Sequence, residues 1–180
     1  MPNRNVNVYI DCENIKVSSR RISNKRVHYP ALMGFLYEKY VNTVKNYHTT
    51  LTVKAFVAID DREDYADSFV DTLEGLGIRV IKTEKYMAFP DESSRGKENT
   101  DLYIAAEIQK DLMKGDIHNF VLISGDRDFA FLGKRIMQKD KTFEVIGPKD
   151  CTYGEYKKMK SFTYLSNIPF IFVDLKVYEK

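Results

Sequence analysis

No apolar run in the chain approaches the ~18 residues that a membrane-crossing helix needs. Cysteine is almost missing: Cys12 and Cys151 are the two present, too few for a disulfide framework. Without four cysteines at metal-binding spacing, a structural zinc site is excluded as well. Two reduced thiols in a cytoplasmic protein are the expectation. The N-terminal residues Met1-Pro2-Asn3-Arg4-Asn5 lack the charged-then-apolar design of a secretory signal, which points the same way. Histidine is scarce too, and His28, His48 and His118 share no motif. With no Ser-His-Asp or Cys-His arrangement, covalent nucleophilic catalysis has no support. Charge of one sign is also lacking: 28 Lys and Arg against 26 Asp and Glu leave +2, which does not identify a polyanionic partner.

What is present is an ordinary globular composition, 43% hydrophobic and 30% charged over 180 residues, the size of one domain. Val6–Ile10 is a short β-branched apolar run and reads as a buried strand. A polar stretch follows, and then Leu32, Phe35, Leu36, Tyr40 and Val44 recur at helical spacing. Val53–Ile59 predicts a second strand and Ile78–Ile81 a third. Between them Tyr65, Phe69, Leu73 and Leu76 mark a helix that Gly77 would stop. From Lys82 to Asn99 the sequence is polar and aperiodic, the longest expected loop. Leu102, Ala105, Ile108 and Leu112 then define a third helix ending near Gly115. Phe120–Ile123 and Phe143–Ile146 are strands flanking a helix through Phe129, Leu132 and Ile136. The tail carries a short helix near Tyr156 and a last apolar run, Ile168–Val173, expected to complete the sheet of the same chain. Its Ile168, Phe170, Ile171 and Phe172 would otherwise serve a homodimer. Alternating strands and helices imply an α/β fold, a mainly parallel sheet covered on both faces. Chemistry in such sheets gathers beyond the carboxyl ends of the strands.

Four aspartates fall at that edge. Asp11 follows the first strand, Asp101 opens the helix after the long loop, and Asp126 and Asp128 follow the fourth strand. Carboxylates brought together repel one another, so such a cluster costs stability unless it binds a cation or keeps a proton. Oxygen ligands of this kind suit Mg²⁺ or Mn²⁺, ions that activate water and neutralise charge building on a phosphate. Each aspartate taken singly also fits a helix cap or a turn. Asp60 and Asp61, at the same edge, read as turn and capping groups.

Val8-Tyr9-Ile10-Asp11-x-Glu13-Asn14 resembles the opening strand of the NYN domain family. Val121-Leu122-Ile123-Ser124-Gly125-Asp126-x-Asp128-Phe129 is similar to the same family's second signature and is the most specific motif in the chain. Gly96-Lys97-Glu98-Asn99-Thr100-Asp101 resembles the intermediate one, although Lys97 stands four residues before Asp101 where the family has three. The resemblance covers about residues 6–147, leaving 148–180 as an extension packing on the same domain, and the LabA-like branch is the nearest comparison. It implies a PIN-like three-layer α/β/α sandwich and a metal-dependent ribonuclease site. On that analogy Asp11, Asp101, Asp126 and Asp128 would hold the metal, with Asp11 and Asp126 central, and Asn14 would orient Asp11 or a water. Ser124 would add a hydroxyl, while Lys97, Arg95 and Arg127 would face the substrate.

Three other readings compete. A haloacid-dehalogenase-like phosphatase would carry a second Asp two residues after Asp11, where this chain has Glu13. A response-regulator receiver would need its Asp at the end of the third strand, where Lys82-Thr83-Glu84 stands. The third is an RNA-binding module of the same fold with little or no catalysis. RNA would lie across the edge against Tyr86, Phe89, Arg95 or Lys97 of the long loop. The basic runs Arg20, Arg21, Lys25, Arg26 and Lys157, Lys158, Lys160 are further candidates for tracking a backbone.

Overall fold

The computed structural model describes residues 3–23, 25–43, 47–59, 65–86 and 97–174. The first strand, β1 (Asn3–Asp11), runs directly into α1 (Cys12–Ser23), which is followed by β2 (Lys25–Val27) and α2 (Tyr29–Tyr37). Helix α2 continues into a π-turn, Glu38–Asn42. Next come β3 (His48–Ile59), α3 (Tyr65–Gly75), β4 (Arg79–Tyr86), β5 (Lys97–Glu98) and α4 (Thr100–Lys114). The last part holds β6 (Asn119–Ile123), α5 (Ala130–Met137), β7 (Thr142–Gly147), α6 (Gly154–Lys157), β8 (Phe162–Tyr164) and β9 (Phe172–Asp174).

Seven strands form one sheet in the order β5-β4-β3-β1-β6-β7-β8. All neighbours are parallel except β5, which folds back antiparallel on β4. Two apolar layers cover the faces. One gathers Val8, Ile10, Ile15, Leu32, Leu36 and Leu73 under α1, α2 and α3. The other gathers Tyr9, Ile104, Ile108, Leu132, Ile136 and Tyr156 under α4, α5 and α6. Alternation along β1, where Val8 and Ile10 face one layer and Tyr9 the other, is the period-two consequence of the pleat. This is a three-layer α/β/α sandwich of the PIN-like kind. The chain winds from β1 through β3 to β4 on one side and then crosses to β6 and β7 on the other. The reversal falls between β1 and β6, where open parallel sheets form a crevice for ligands.

Three elements differ from the sequence expectation. The polar stretch after β1 is helix α1. Its buried face is partly built from Ser18 and Ser19, whose hydroxyls donate to the carbonyls of Asn14 (2.7 Å) and Lys16 (3.0 Å). Serines satisfied by their own helix can be buried, and they hide the apolar period. The third strand continues past Ile81 to Tyr86, because buried Thr83 keeps the alternation going after the apolar residues stop. The tail run does not complete the main sheet. That edge is taken by β8, while β9 pairs antiparallel with β2. Ile168 and Ile171 are buried in the core and Phe170 is 85% exposed, so the run divides between inside and outside. Asp60, Asp61, Phe89 and Arg95 lie outside the described residues. Among the described residues, no helix is long and apolar enough to cross a membrane. Cys12 and Cys151 are free thiols.

Candidate active site

The crevice at the ends of β1 and β6 is organised by two buried polar side chains. Asp11, the last residue of β1, is 3% exposed. One of its carboxylate oxygens accepts the backbone N–H of Asn14 (3.0 Å) and the other accepts the hydroxyl of Ser124 (3.0 Å). Ser124 is fully buried, and its oxygen in turn accepts the N–H of Asp126 (3.2 Å). The side-chain carbonyl of Asn14 accepts the N–H of Gly125 (2.9 Å), tying the start of α1 to the loop after β6. Beyond it, a carboxylate oxygen of Asp126 accepts the N–H of Asp128 (2.9 Å) and caps a 3-10 turn, Arg127–Phe129. The cap reading of Asp126 therefore holds alongside any other role it has.

Gly125 is fixed by contact. A Cβ there would lie 2.6 Å from the carbonyl oxygen of Cys151 and 3.0 Å from the Thr152 Cα. The Gly125 carbonyl also accepts the N–H of Tyr153 (2.9 Å). The segment around Cys151 thus forms a wall behind the loop.

Asp101 arrives from the other side, in the first turn of α4, where the capping position belongs to Asn99. Two anchors hold α4. At its start the hydroxyls of Thr100 and Thr83 are hydrogen-bonded at 2.9 Å, both buried, linking the helix to β4. Further along, buried Asp111 accepts hydrogen bonds from Asn7 (2.7 Å), Tyr9 (2.8 Å) and the ammonium of buried Lys54. Lys54 also reaches Glu107 at 3.0 Å. Sequence reasoning passed over this network, although its signal was legible: a lysine in the middle of the apolar strand Val53–Ile59.

The result is a group of three carboxylates. Asp101, Asp126 and Asp128 each offer an oxygen, and the three atoms lie within 4.8 Å of one another. Asp11 stands behind this group, joined to it through Ser124 and by its charge. Burial pushes the Asp11 carboxyl up to about 7; the hydrogen bonds from Asn14 and Ser124 oppose the shift, and the charges of Asp101 and Asp126 add to it. Asp101 is raised as well, by burial first and then by Asp126 and Asp128. Beside the group, among the described residues, is the exposed guanidinium of Arg127, 3.8 Å from Asp128. Oxygen donors, crowded negative charge and partial exposure fit a hard divalent cation such as Mg²⁺ or Mn²⁺.

The remaining sequence candidates are scattered. Lys97 sits in β5 opposite Tyr86, at the edge of the sheet next to the start of α4. Tyr156 of α6, absent from the sequence reading of the site, is buried with its hydroxyl lacking a hydrogen-bond partner among the described residues. Burial first, and then the charges of Asp126, Tyr153 and Asp128, push its phenol upward. His118 accepts the N–H of Asn5 at the opposite end of the sheet, far from the carboxylates in the fold. Of the second basic run, Lys157 donates to the Lys149 carbonyl and Lys158 pairs with Glu155.

A doubly covered parallel sheet with acids at its reversal point is consistent with a PIN-like fold. Residues 5–166 match the NYN domain family. The chain belongs to the NYN domain family, and with it to the PIN-like nuclease folds. A crystal structure of a protein of unknown function from Vibrio parahaemolyticus is similar over 91% of this chain and 93% of that one. Its TM-score is 0.71 at 21% identity, a likeness of fold. No curated protein matches the chain.

Proposed function

We propose that the chain is a divalent-metal-dependent ribonuclease. The observation that carries this reading is the convergence of Asp101, Asp126 and Asp128 at the sheet reversal. These three would hold the ion, Mg²⁺ or Mn²⁺. Asp11 adds negative charge from behind and, through Ser124, sets the loop that presents Asp126. Asn14 keeps that loop against β1 by its bond to Gly125. A bound divalent ion would supply water activation and charge neutralisation on the phosphodiester. The exposed Arg127, and Lys97 at the neighbouring edge, are the proposed phosphate contacts. Family membership supports RNA as the substrate, and a cytoplasmic setting goes with that. The same membership gives the phosphatase alternative nothing to stand on.

The test is cleavage of labelled single-stranded and hairpin RNA by purified protein with Mn²⁺, Mg²⁺ or EDTA. Asp126→Asn is run beside it and checked for folding by circular dichroism. Cutting that needs metal and falls by roughly 10²-fold or more in the folded variant is expected, the scale on which losing one charge-stabilising group acts. RNA bound but uncut under every metal would replace the nuclease with a binding module of the same fold.

A further inference from the structure

Just across the end of β1 from the carboxylates lies a cavity of about 280 Å³. Residues Cys12 and Glu13 line it, and they follow Asp11 directly in the chain. Asp11 stands behind the carboxylate group, so the cavity and the acidic site share the end of β1. The faces differ. Cys12 belongs with Val8 and Ile10 to the layer under α1, α2 and α3, whereas the carboxylates crown the layer under α4 and α5. The two sites therefore sit astride the same strand end.

The interior of the cavity is apolar, with Val57, Ala58, Phe69 and Val173 among its walls. The rim is cationic. Lys16, Arg20, Lys25 and Arg26 line it against one acid, Glu13, among the described residues. Lys16 is paired with Glu13 at 3.3 Å, and Lys25 lies 3.9 Å from the exposed Asp174. His28 lines the same space. Arg20, Lys25 and Arg26 of the first basic run are thus brought together around a concave surface by α1 and β2, a placement the sequence does not reveal.

An apolar slot with an aromatic wall and cations around the mouth is complementary to a nucleobase carrying its phosphate. Aliphatic ligands would leave the cationic rim unused, and a phosphate alone would leave the slot empty. We propose that this cavity receives one base of a single-stranded RNA whose neighbouring phosphodiester lies at the carboxylates, with the flanking phosphate on Lys16, Arg20 and Lys25. The inference rests on the ribonuclease reading for its choice of RNA, and it makes the enzyme selective for unpaired strands, since a base held in a duplex cannot enter.

Thr72, exposed on α3, lines the mouth, so Thr72→Trp fills the cavity from a position that folding does not depend on. Binding of a fluorescent single-stranded RNA is measured by anisotropy in EDTA, where nothing is cut, for the wild type, Thr72→Trp, Arg20→Glu and the distant control Lys134→Glu. Both cavity variants should weaken binding at least about fivefold, the lower end of what one stacked base contributes. The control should stay within about twofold. Arg20→Glu should also lower the slope of log affinity against log salt by about 0.7, the loss of one single-strand phosphate contact. Replacing bases one at a time by abasic sites should reveal a single sensitive position in the wild type that vanishes in Thr72→Trp. Unchanged binding in both variants, or no sensitive position, overturns the inference. So does a nucleoside monophosphate that binds the wild type more tightly than the strand, because the cavity would then serve a free nucleotide. Metal-dependent cutting that persists unaltered in Thr72→Trp removes the base pocket and leaves the ribonuclease. Cavity-dependent binding by a wild type that never cuts does the reverse.

Discussion

At the carboxyl-terminal half of α4, Asp111 and Glu107 share the ammonium of Lys54; at its amino-terminal end, Asp101 meets Asp126 and Asp128 with no lysine among the described residues. The chemistry of the two clusters is opposite. Burial pushes Asp111 up, but hydrogen bonds from Lys54 and Tyr9 and the Lys54 charge outweigh it, and its carboxyl falls below the ordinary range. Glu107 is lowered by the same balance. In the other cluster Asp11 and Asp101 are raised by burial and like charge, and the cation beside the group among the described residues, Arg127, lies against Asp128. One strand and one helix therefore carry both a finished ion network and one whose countercharge, among the described residues, is the exposed Arg127. The finished network positions α4, and the unfinished one is where a ligand gains most by binding.

The largest effect is expected where the finished network is broken. Lys54→Met would leave Asp111 buried beside Asn7 and Tyr9 with the half-exposed ammonium of Lys114, 3.3 Å from its other oxygen, as its remaining cation. Losing the buried partner of such a pair costs about 3–5 kcal/mol. Urea unfolding measures this, and a loss under about 1 kcal/mol would mean that the network is not what holds α4.

The next effect has the opposite sign. With a folded-state value near 7, above the ordinary 3.8, Asp11 favours folding fully below pH 4. That contribution is lost as pH rises through 7, because the folded state must then bury a charge. Asp11→Asn in EDTA should therefore match the wild type near pH 4 and exceed it in stability above pH 7, by up to about 4 kcal/mol. Unfolding curves at pH 4.5 and 8 decide it, and equal stability at both would place a countercharge beside Asp11.

Supplying the missing cation should close the gap between the clusters. Mn²⁺ at about 100 times its dissociation constant should stabilise the wild type by about 2.7 kcal/mol and do far less for Asp126→Asn. A Tm titration in each protein reads the difference. The smallest change is expected at Tyr156, whose buried hydroxyl lacks a partner among the described residues. Tyr156→Phe should be neutral or stabilising by up to about 1 kcal/mol, since a desolvated, unpaired group is removed. A loss in unfolding free energy would show that the hydroxyl bonds to something in solution.

Much of this was readable from the residues. The strands β1, β3, β6 and β7 announce themselves as β-branched or aromatic runs, and Asp11, Asp101, Asp126 and Asp128 can be placed at one edge because a parallel sheet has only one carboxyl edge. Their division was not readable. That Asp11 spends its oxygens on Asn14 and Ser124, while the other three converge, depends on side-chain directions that spacing does not carry. Helix α1 was hidden because serines occupy its buried face. The cavity beside it was hidden because its walls come from α1, β2, β3 and α3, segments whose adjacency only the strand order decides.

The contact between Gly125 and the Cys151 carbonyl has a consequence for how far the chain can be shortened. All four acidic residues and every motif that marks the family precede Gly147. A protein ending there would keep each carboxylate and lose the backing surface that keeps the Ser124–Asp128 loop from relaxing away from α4. Trimming the chain to its signatures would thus conserve the inventory and discard the jig that assembles it.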